Sequence, residues 1–286
     1  MTGRPSGSRA PRGGLGRPER ARERQELTAY RAETPPDLDG RLAADCWRRA
    51  PRSPRFVDLV SGRRAALDTR AAVLWDDDAL YIGFELEEPR VEASLTERDA
   101  HVWLDDDVEV FVAGADRYYE LEVNALNTVY EVLFEWDDAG RDRAAGPPEL
   151  RDDHPRAAPF DGVDLAHPRG PRTGFWGWDL PGLVTAVHVD GALNDPSVVD
   201  RGWSVEIALP WAGLAVLADE AHPLPPRDGD AWRIAFARFN TDRADPGDSG
   251  GWALSPHGVW DAHVPERFPL VRFSADPPPC GPVADV

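Results

Sequence analysis

The chain has 286 residues, of which 51 are Asp or Glu and 32 are Arg, with no Lys, for a formal net charge of −19. So acidic a balance argues against a nucleic-acid binder, whose phosphate contacts need a cationic surface, and against electrostatic docking on anionic lipid. No run approaches about 18 apolar residues, which excludes a helical membrane span, while a 42% hydrophobic fraction with eleven Trp is ample for a globular core. Residues 1–26 carry Arg, Gly and Pro but no apolar stretch, so they read as a disordered basic tail and not as a secretory signal. As written the chain is expected to stay in the cytoplasm, with export left open by the choice of start codon.

From about Leu27 the pattern changes to short alternating runs bounded by Gly, Pro, Asp and Asn. Ala72–Trp75 and Leu80–Leu86 come first. In the second run Leu80, Ile82, Phe84 and Leu86 share one face, the period-two signature of a half-buried strand. Val108, Val110 and Val112 then alternate with Glu109 and Phe111, and Tyr119, Leu121 and Val123 with Glu120, Glu122 and Asn124. A fourth run interleaves Val129, Glu131, Leu133 and Glu135 with Tyr130, Val132, Phe134 and Trp136. Residues 137–182 break the rhythm with Pro, Gly, Asp and Arg, and predict a long loop or insertion. Later strands are expected at Leu183–Val189, Trp203–Leu209, Ala231–Phe239 and Leu270–Phe273. Helical periodicity is nearly absent, and Pro210–Leu214 makes at most one turn. This pattern predicts an all-β fold: a single two-sheet antiparallel β-sandwich of jelly-roll type over 27–275, with a C-terminal tail over 276–286. No repeat of fixed period is visible, which argues against a propeller or solenoid.

The composition also limits the chemistry. Without Lys, and with Met1 as the single Met, the chain cannot build a Schiff base or a haem site with a Lys or internal Met ligand. Cys46 and Cys280 are too few for a multi-Cys zinc site, and without an export signal two unpaired thiols are expected in place of a disulfide. The seven His residues show no HExxH or paired spacing. The acidic runs Asp76–Asp78, Asp105–Asp107 and Asp137-Asp138 read first as solvated loops, with a structural calcium as the alternative. No cofactor is otherwise expected.

Specific segments carry more than the pattern does. Pro36-Asp37-Leu38-Asp39-Gly40 precedes Trp47 and Ala50. Val73-Leu74-Trp75-Asp76-Asp77 leads into Leu80-Tyr81-Ile82. Trp103-Leu104-Asp105-Asp106-Asp107-Val108-Glu109-Val110-Phe111 and Tyr118-Tyr119-Glu120-Leu121-Glu122-Val123-Asn124 follow. Gly202-Trp203-Ser204-Val205-Glu206 runs on to Pro210-Trp211, and a closing segment runs from Trp252 to Pro265 and Phe268. In this order, over roughly 35–273, these segments resemble carbohydrate-binding module family 9. The resemblance implies a sugar-binding sandwich in which two Trp rings hold a terminal sugar and polar side chains bond its hydroxyls.

Carried over by motif, the first Trp is Trp103 and the carboxylate after it Glu109, while the strand Asn is Asn124. The second Trp is Trp260, and the late-strand polar pair aligns loosely with Arg238 and Asn240. Glu122 stands where the family pattern has Arg, and it would serve as a hydroxyl acceptor unsuited to an anionic sugar. The residues themselves allow this reading. Trp103 lies in a polar loop between His101 and Asp105, and Glu109 points away from the face of Val108 and Val110, into either solvent or a groove. Stacking on the apolar C–H face of a pyranose gives affinity, and a carboxylate between two hydroxyls gives orientation. Trp47, Trp75, Trp203, Trp211, Trp232 and Trp252 are expected in the packing. The expected function is non-catalytic binding of a mono-, oligo- or polysaccharide in support of carbohydrate catabolism, with no nucleic acid or membrane partner. Two rivals stay open: a glycoside hydrolase using two carboxylates, and an interaction module with a degenerate sugar site.

Overall fold

Period-two alternation makes most of the chain extended. In the computed structural model, which describes residues 25–241, 247 and 249–279, fourteen strands form. They are β1 (Glu26–Arg31), β2 (Val57–Asp58), β3 (Thr69–Trp75), β4 (Ala79–Glu87), β5 (Asp107–Ala113), β6 (Arg117–Asn124) and β7 (Val129–Trp136). Then follow β8 (Ala157–Phe160), β9 (Arg172–Phe175), β10 (Val184–Asp190), β11 (Gly202–Pro210), β12 (Ala231–Asn240), β13 (Gly250–Ala253) and β14 (Leu270–Ser274). Two helices of four and five residues, α1 (Asp45–Arg49) and α2 (Trp211–Leu214), are the only α-helical turns among the described residues. None there is long and apolar enough to cross a membrane.

The strands pair in the order β10-β11-β4-β3-β1-β14-β12-β5-β6-β7-β9-β8, with β13 on β12 and β2 on β13. Two layers result. Leu80, Ile82 and Phe84 of β4 and Val205, Ile207 and Leu209 of β11 pack against Val108, Val110 and Val112 of β5, Leu121 of β6 and Phe236 of β12 in one continuous core. The sandwich predicted from the sequence is therefore present, with one difference in strand direction. β1 pairs in parallel with both β3 (Tyr30↔Leu74) and β14 (Glu26↔Leu270 to Tyr30↔Ser274), which joins the two layers edge to edge. Alternation of side chains sets which face a residue takes and carries no information on strand direction.

The segments quoted from the sequence have structural partners. Glu206 Oε2 accepts the backbone N–H groups of Asp39, at 2.8 Å, and Gly40, which ties the Leu38-Asp39-Gly40 turn onto β11. Gly83 lets the next residues settle on β4, since a Cβ there would come within 2.4 Å of Leu42 Cδ2. Trp47, Leu42, Cys46 and Tyr81 then form a satellite cluster on that face. Cys46 is a buried free thiol, and Cys280 lies outside the described residues. The predicted tail 1–26 also lies outside them except for its last two residues, the second of which opens β1.

β5 and β7 are buried along their whole length, on both faces. The reason is the stretch 137–182. It includes β8 and β9, with β9 continuing the sheet beyond β7 (Leu133↔Phe175 to Trp136↔Arg172). Their runs of four residues amid Pro, Gly and Asp are too short for a period to be read from sequence. A second apolar layer, with Phe111, Tyr118, Tyr130, Phe134 and Phe268 among its members, fills the space outside the sheet.

Candidate functional site

The same alternation that sends Val108, Val110, Leu121 and Val123 into the core sends Asp107, Glu109, Glu120 and Glu122 outwards. Of these, Glu109, Glu120 and Glu122 emerge into a cavity of about 600 Å³. Its floor is the outer face of β5, β6, β7 and β12, where Glu109 lies opposite Glu122 and Glu122 opposite Tyr130. Its walls include Trp103, Phe160, Trp176, Phe239 and Trp260, and one side is closed by Asp261, Ala262 and His263. Asp261 holds the rim in place: its Oδ2 accepts the N–H of Val163 at 2.9 Å, and its Oδ1 that of His263 at 2.8 Å.

Five of the seven expected residues line this cavity: Trp103, Glu109, Glu122, Asn240 and Trp260. Trp103 and Trp260 are 42% and 43% exposed, whereas the other nine tryptophans are buried or half-buried. Trp103 follows His101 into a single 3-10 turn (Val102–Leu104), stacks on the His101 ring at 4.4 Å and meets Tyr130 edge-on at 4.9 Å. Trp260 stands edge-on to Phe239 at 5.5 Å. Gly251 makes that approach possible, because a Cβ there would lie 2.6 Å from Phe239 Cε1 and 2.9 Å from the Trp260 ring.

Asn124 and Arg238 do not line the cavity. The Asn124 amide donates to Leu95 O (2.9 Å) and Asp105 Oδ2 (3.0 Å), and its Oδ1 accepts from the N–H groups of Leu126 and Thr128. It shapes the turn between β6 and β7. Arg238 is fully buried on the opposite face of β12. It pairs with Glu88 at 2.8 Å, donates to Thr69 and Glu87, and lies over Trp252 at 5.0 Å. One further bond, to Asn240 Oδ1 at 2.7 Å, orients Asn240.

Several cavity residues are not among those expected from the sequence. Tyr130 accepts a hydrogen bond from Trp176 Nε1 at 2.7 Å, which fixes both rings. His263 Nδ1 lies 3.2 Å from the Tyr118 hydroxyl, and Nε2 is 3.5 Å from Glu120 Oε1. Tyr130 was within reach of the alternation that turned Glu109 outwards. Trp176, Asp261 and His263 lie in irregular segments with no period to reveal them.

The electrostatics are dominated by carboxyls in an apolar setting. Burial first, and then the charges of Asp107, Glu120 and Asp261, hold Glu109 well above the ordinary carboxylate range. Glu122 is raised by burial and by Asp107, Glu109 and Glu120. Glu120 is pushed up to about 8 by burial and Asp107, against the opposing pull of Arg172. Burial drives His263 down to about 3, so its ring is neutral. Arg172 sits over the rings of Tyr118, Trp136 and Phe160 at 4.9–5.5 Å, a buried cation held by aromatic faces. A pocket with rings on its walls and hydrogen-bond acceptors on its floor suits a ligand with apolar faces and polar edges.

Comparison with known proteins agrees. Residues 38–140 match the model of the carbohydrate family 9 binding domain-like family. The family 9-like match takes in Trp103, Glu109, Glu122 and Asn124, and ends before Asn240 and Trp260. Two solved structures share the fold. One is a carbohydrate binding module family 9 from Caldicellulosiruptor kristjanssonii in complex with cellotriose. It is 14% identical, with 92% of this chain and 99% of that one covered and a TM-score of 0.51. The other is from Bacteroides uniformis ATCC 8492, a protein of proposed carbohydrate-binding role. It is also 14% identical, with 88% and 100% covered and a TM-score of 0.55. No curated protein matches the sequence.

Proposed function

We propose that this family 9-like domain binds carbohydrate without cleaving it, taking the terminal sugar of an oligo- or polysaccharide between Trp103 and Trp260 in support of carbohydrate catabolism. The observation that carries the reading is the exposure of the tryptophans. Of eleven, only these two keep two fifths of their surface free, and both line the one cavity that also holds Glu109, Glu122 and Asn240. Burying an indole in a core is favourable, so leaving two of them at a cavity has a purpose other than packing. Carboxylate oxygens of Glu109 and Glu122 accept from sugar hydroxyls, and Asn240 presents an amide held by Arg238. The related module with cellotriose bound supports a neutral glucose-type ligand. A cavity rich in carboxylates repels an anionic one.

Isothermal titration against glucose, cellobiose, cellotriose and xylo-oligosaccharides, beside a glycan array, tests the reading. Binding to at least one neutral sugar is expected, weakened by Trp103→Ala and by Trp260→Ala. The wild-type domain failing to bind any of them would overturn it. Aryl glycosides serve as the control for the rival chemistry: no turnover is expected, and turnover abolished by Glu109→Gln would make the protein a hydrolase.

A further inference from the structure

The floor of the cavity gathers three carboxyl groups whose crowding is relieved only in part, by the Phe239 N–H on Asp107 Oδ1 at 3.3 Å and by the Trp103 backbone N–H on Glu122. Glu109 and Glu122 stand directly opposite one another on β5 and β6, and Asp107 lies two residues from Glu109 on the same face. One carboxylate oxygen of each lies within 4.8 Å of those of the other two. Like charges facing each other across an antiparallel pair destabilise it, and these three side chains are only 0%, 5% and 3% exposed in the order Asp107, Glu109, Glu122. Among the described residues no hydrogen-bond donor reaches Asp107 Oδ2, Glu109 Oε2 or Glu122 Oε2. Buried carboxylate oxygens without a partner are costly, so three that converge call for a positive centre between them. The buried arginines are committed elsewhere, Arg238 to Glu88 and Arg172 to its three aromatic faces.

We propose that Asp107, Glu109 and Glu122 hold a divalent cation at the floor of the cavity, calcium being the ion that their donors suit, with its remaining coordination positions open towards the sugar. Calcium takes about 6–8 oxygen ligands at roughly 2.3–2.6 Å in flexible geometry, and three carboxylates leave several positions free. The site offers no thiolate or imidazole of the kind that selects zinc. Glu109 and Glu122 line the cavity and Asp107 does not, so the three donors converge at its floor and extend past the surface that a sugar ring would cover. Two adjacent hydroxyls of a sugar fit the open positions in place of water, a role that rests on the sugar-binding reading above.

The test separates the ion from the sugar. The full chain, freed of metal by a chelator, is titrated with calcium chloride in the absence of sugar. One equivalent should bind, and calcium at a hundredfold excess over its Kd should raise Tm by about 5–10 °C. Glu122→Gln and Asp107→Asn each remove one of the opposed charges. Both should melt no lower than wild type in chelator, lose the calcium-induced rise, and bind calcium at least tenfold more weakly. In separate titrations the sugar should bind at least tenfold more tightly with calcium than with chelator. A wild-type protein showing neither heat nor a Tm rise in millimolar calcium, or a rise retained in both variants, overturns the site; sugar binding measured in chelator then reports whether the sugar reading stands. Calcium bound and lost as expected, with no sugar bound under any condition, upholds the ion site and overturns the sugar reading. Equal sugar affinity with and without calcium overturns the open-position role.

Discussion

Replacing Trp103 by Ala asks how much of a ligand's binding energy rests on one ring. A tryptophan side chain offers roughly 250 Å² of surface, and 42% of Trp103 is free, which leaves on the order of 100 Å² for a ligand. At about 25 cal/mol per Å² full coverage is worth about 2.5 kcal/mol, and coverage of little more than the ring's open face about 1.5. Trp103→Ala should therefore weaken sugar binding about ten- to sixtyfold. The other side of the ring touches His101 and Tyr130 and belongs to no core cluster, so the same change should cost only about 1–2 kcal/mol of stability. A core tryptophan such as Trp47 or Trp232, buried in its cluster, would lose about 3–5. Titration calorimetry with the best sugar from the screen, paired with urea unfolding of the same two proteins, gives both numbers. Unchanged affinity, or a stability loss in the core range, would refute the assignment of Trp103 to a ligand-facing surface.

Trp260→Ala should give a similar loss of affinity, with the smaller stability cost expected of a 43% exposed ring packed edge-on to Phe239; an affinity equal to wild type would confine the site to the Trp103 side. Asp261→Ala removes acceptors from the N–H groups of Val163 and His263 and should cost about 1–3 kcal/mol in urea unfolding while loosening the cavity rim, which limited proteolysis near 160–165 would detect. Intact stability and an unchanged cleavage pattern would count against that anchoring role. Stability in chelator should fall as pH rises from 6.5 to 8. Over this range the folded protein still holds protons on Glu120 and Asp106, each with a pKa near 8, while in the unfolded chain both are already ionised. His263, driven down to about 3, is uncharged in the folded state and half protonated at pH 6.5 in the unfolded one, so it adds a smaller rise of opposite sign that is spent by about pH 7.5 and is outweighed by the two carboxyls. A Tm that is flat or rising over those pH values contradicts the buried-carboxyl reading.

How far the sequence reaches can be seen strand by strand. The alternation in β5 and β6 told correctly which residues face the core, because Val, Leu and Glu differ so strongly in hydrophobicity that parity is unambiguous. It turned Glu109 and Glu122 outwards together, and the register then set them opposite one another. The loop position of Trp103 between polar neighbours marked it as an indole with no core to enter. The parallel direction of β1 was not legible, since Ala29 is its only buried residue and a short strand with one anchor fits either direction. Nor was the covering of the second face. Phe160, Trp176 and Asp261 come from segments of irregular backbone, and only the tertiary path of 137–182 brings them over β7. Motif alignment also does not reveal what a polar side chain is already bonded to: Asn124 and Arg238 spend their donors on Leu95, Asp105, Glu88 and Thr69.

The pairing of β1 with β14 has a mechanical meaning. The two strands are parallel, and they are the first and last among the described residues, with Glu26 beside Leu270 and Tyr30 beside Ser274. Tension between residues 25 and 275 pulls on the leading end of one strand and the trailing end of its neighbour. The ladder is then loaded in shear, all of its hydrogen bonds at once, where an antiparallel terminal pair would unzip one bond at a time. Rupture under such a load is governed by the unfolding barrier and not by equilibrium stability. A domain held at one end to a moving body and at the other to an anchored one would resist being drawn open, so long as this five-residue seam stays shut.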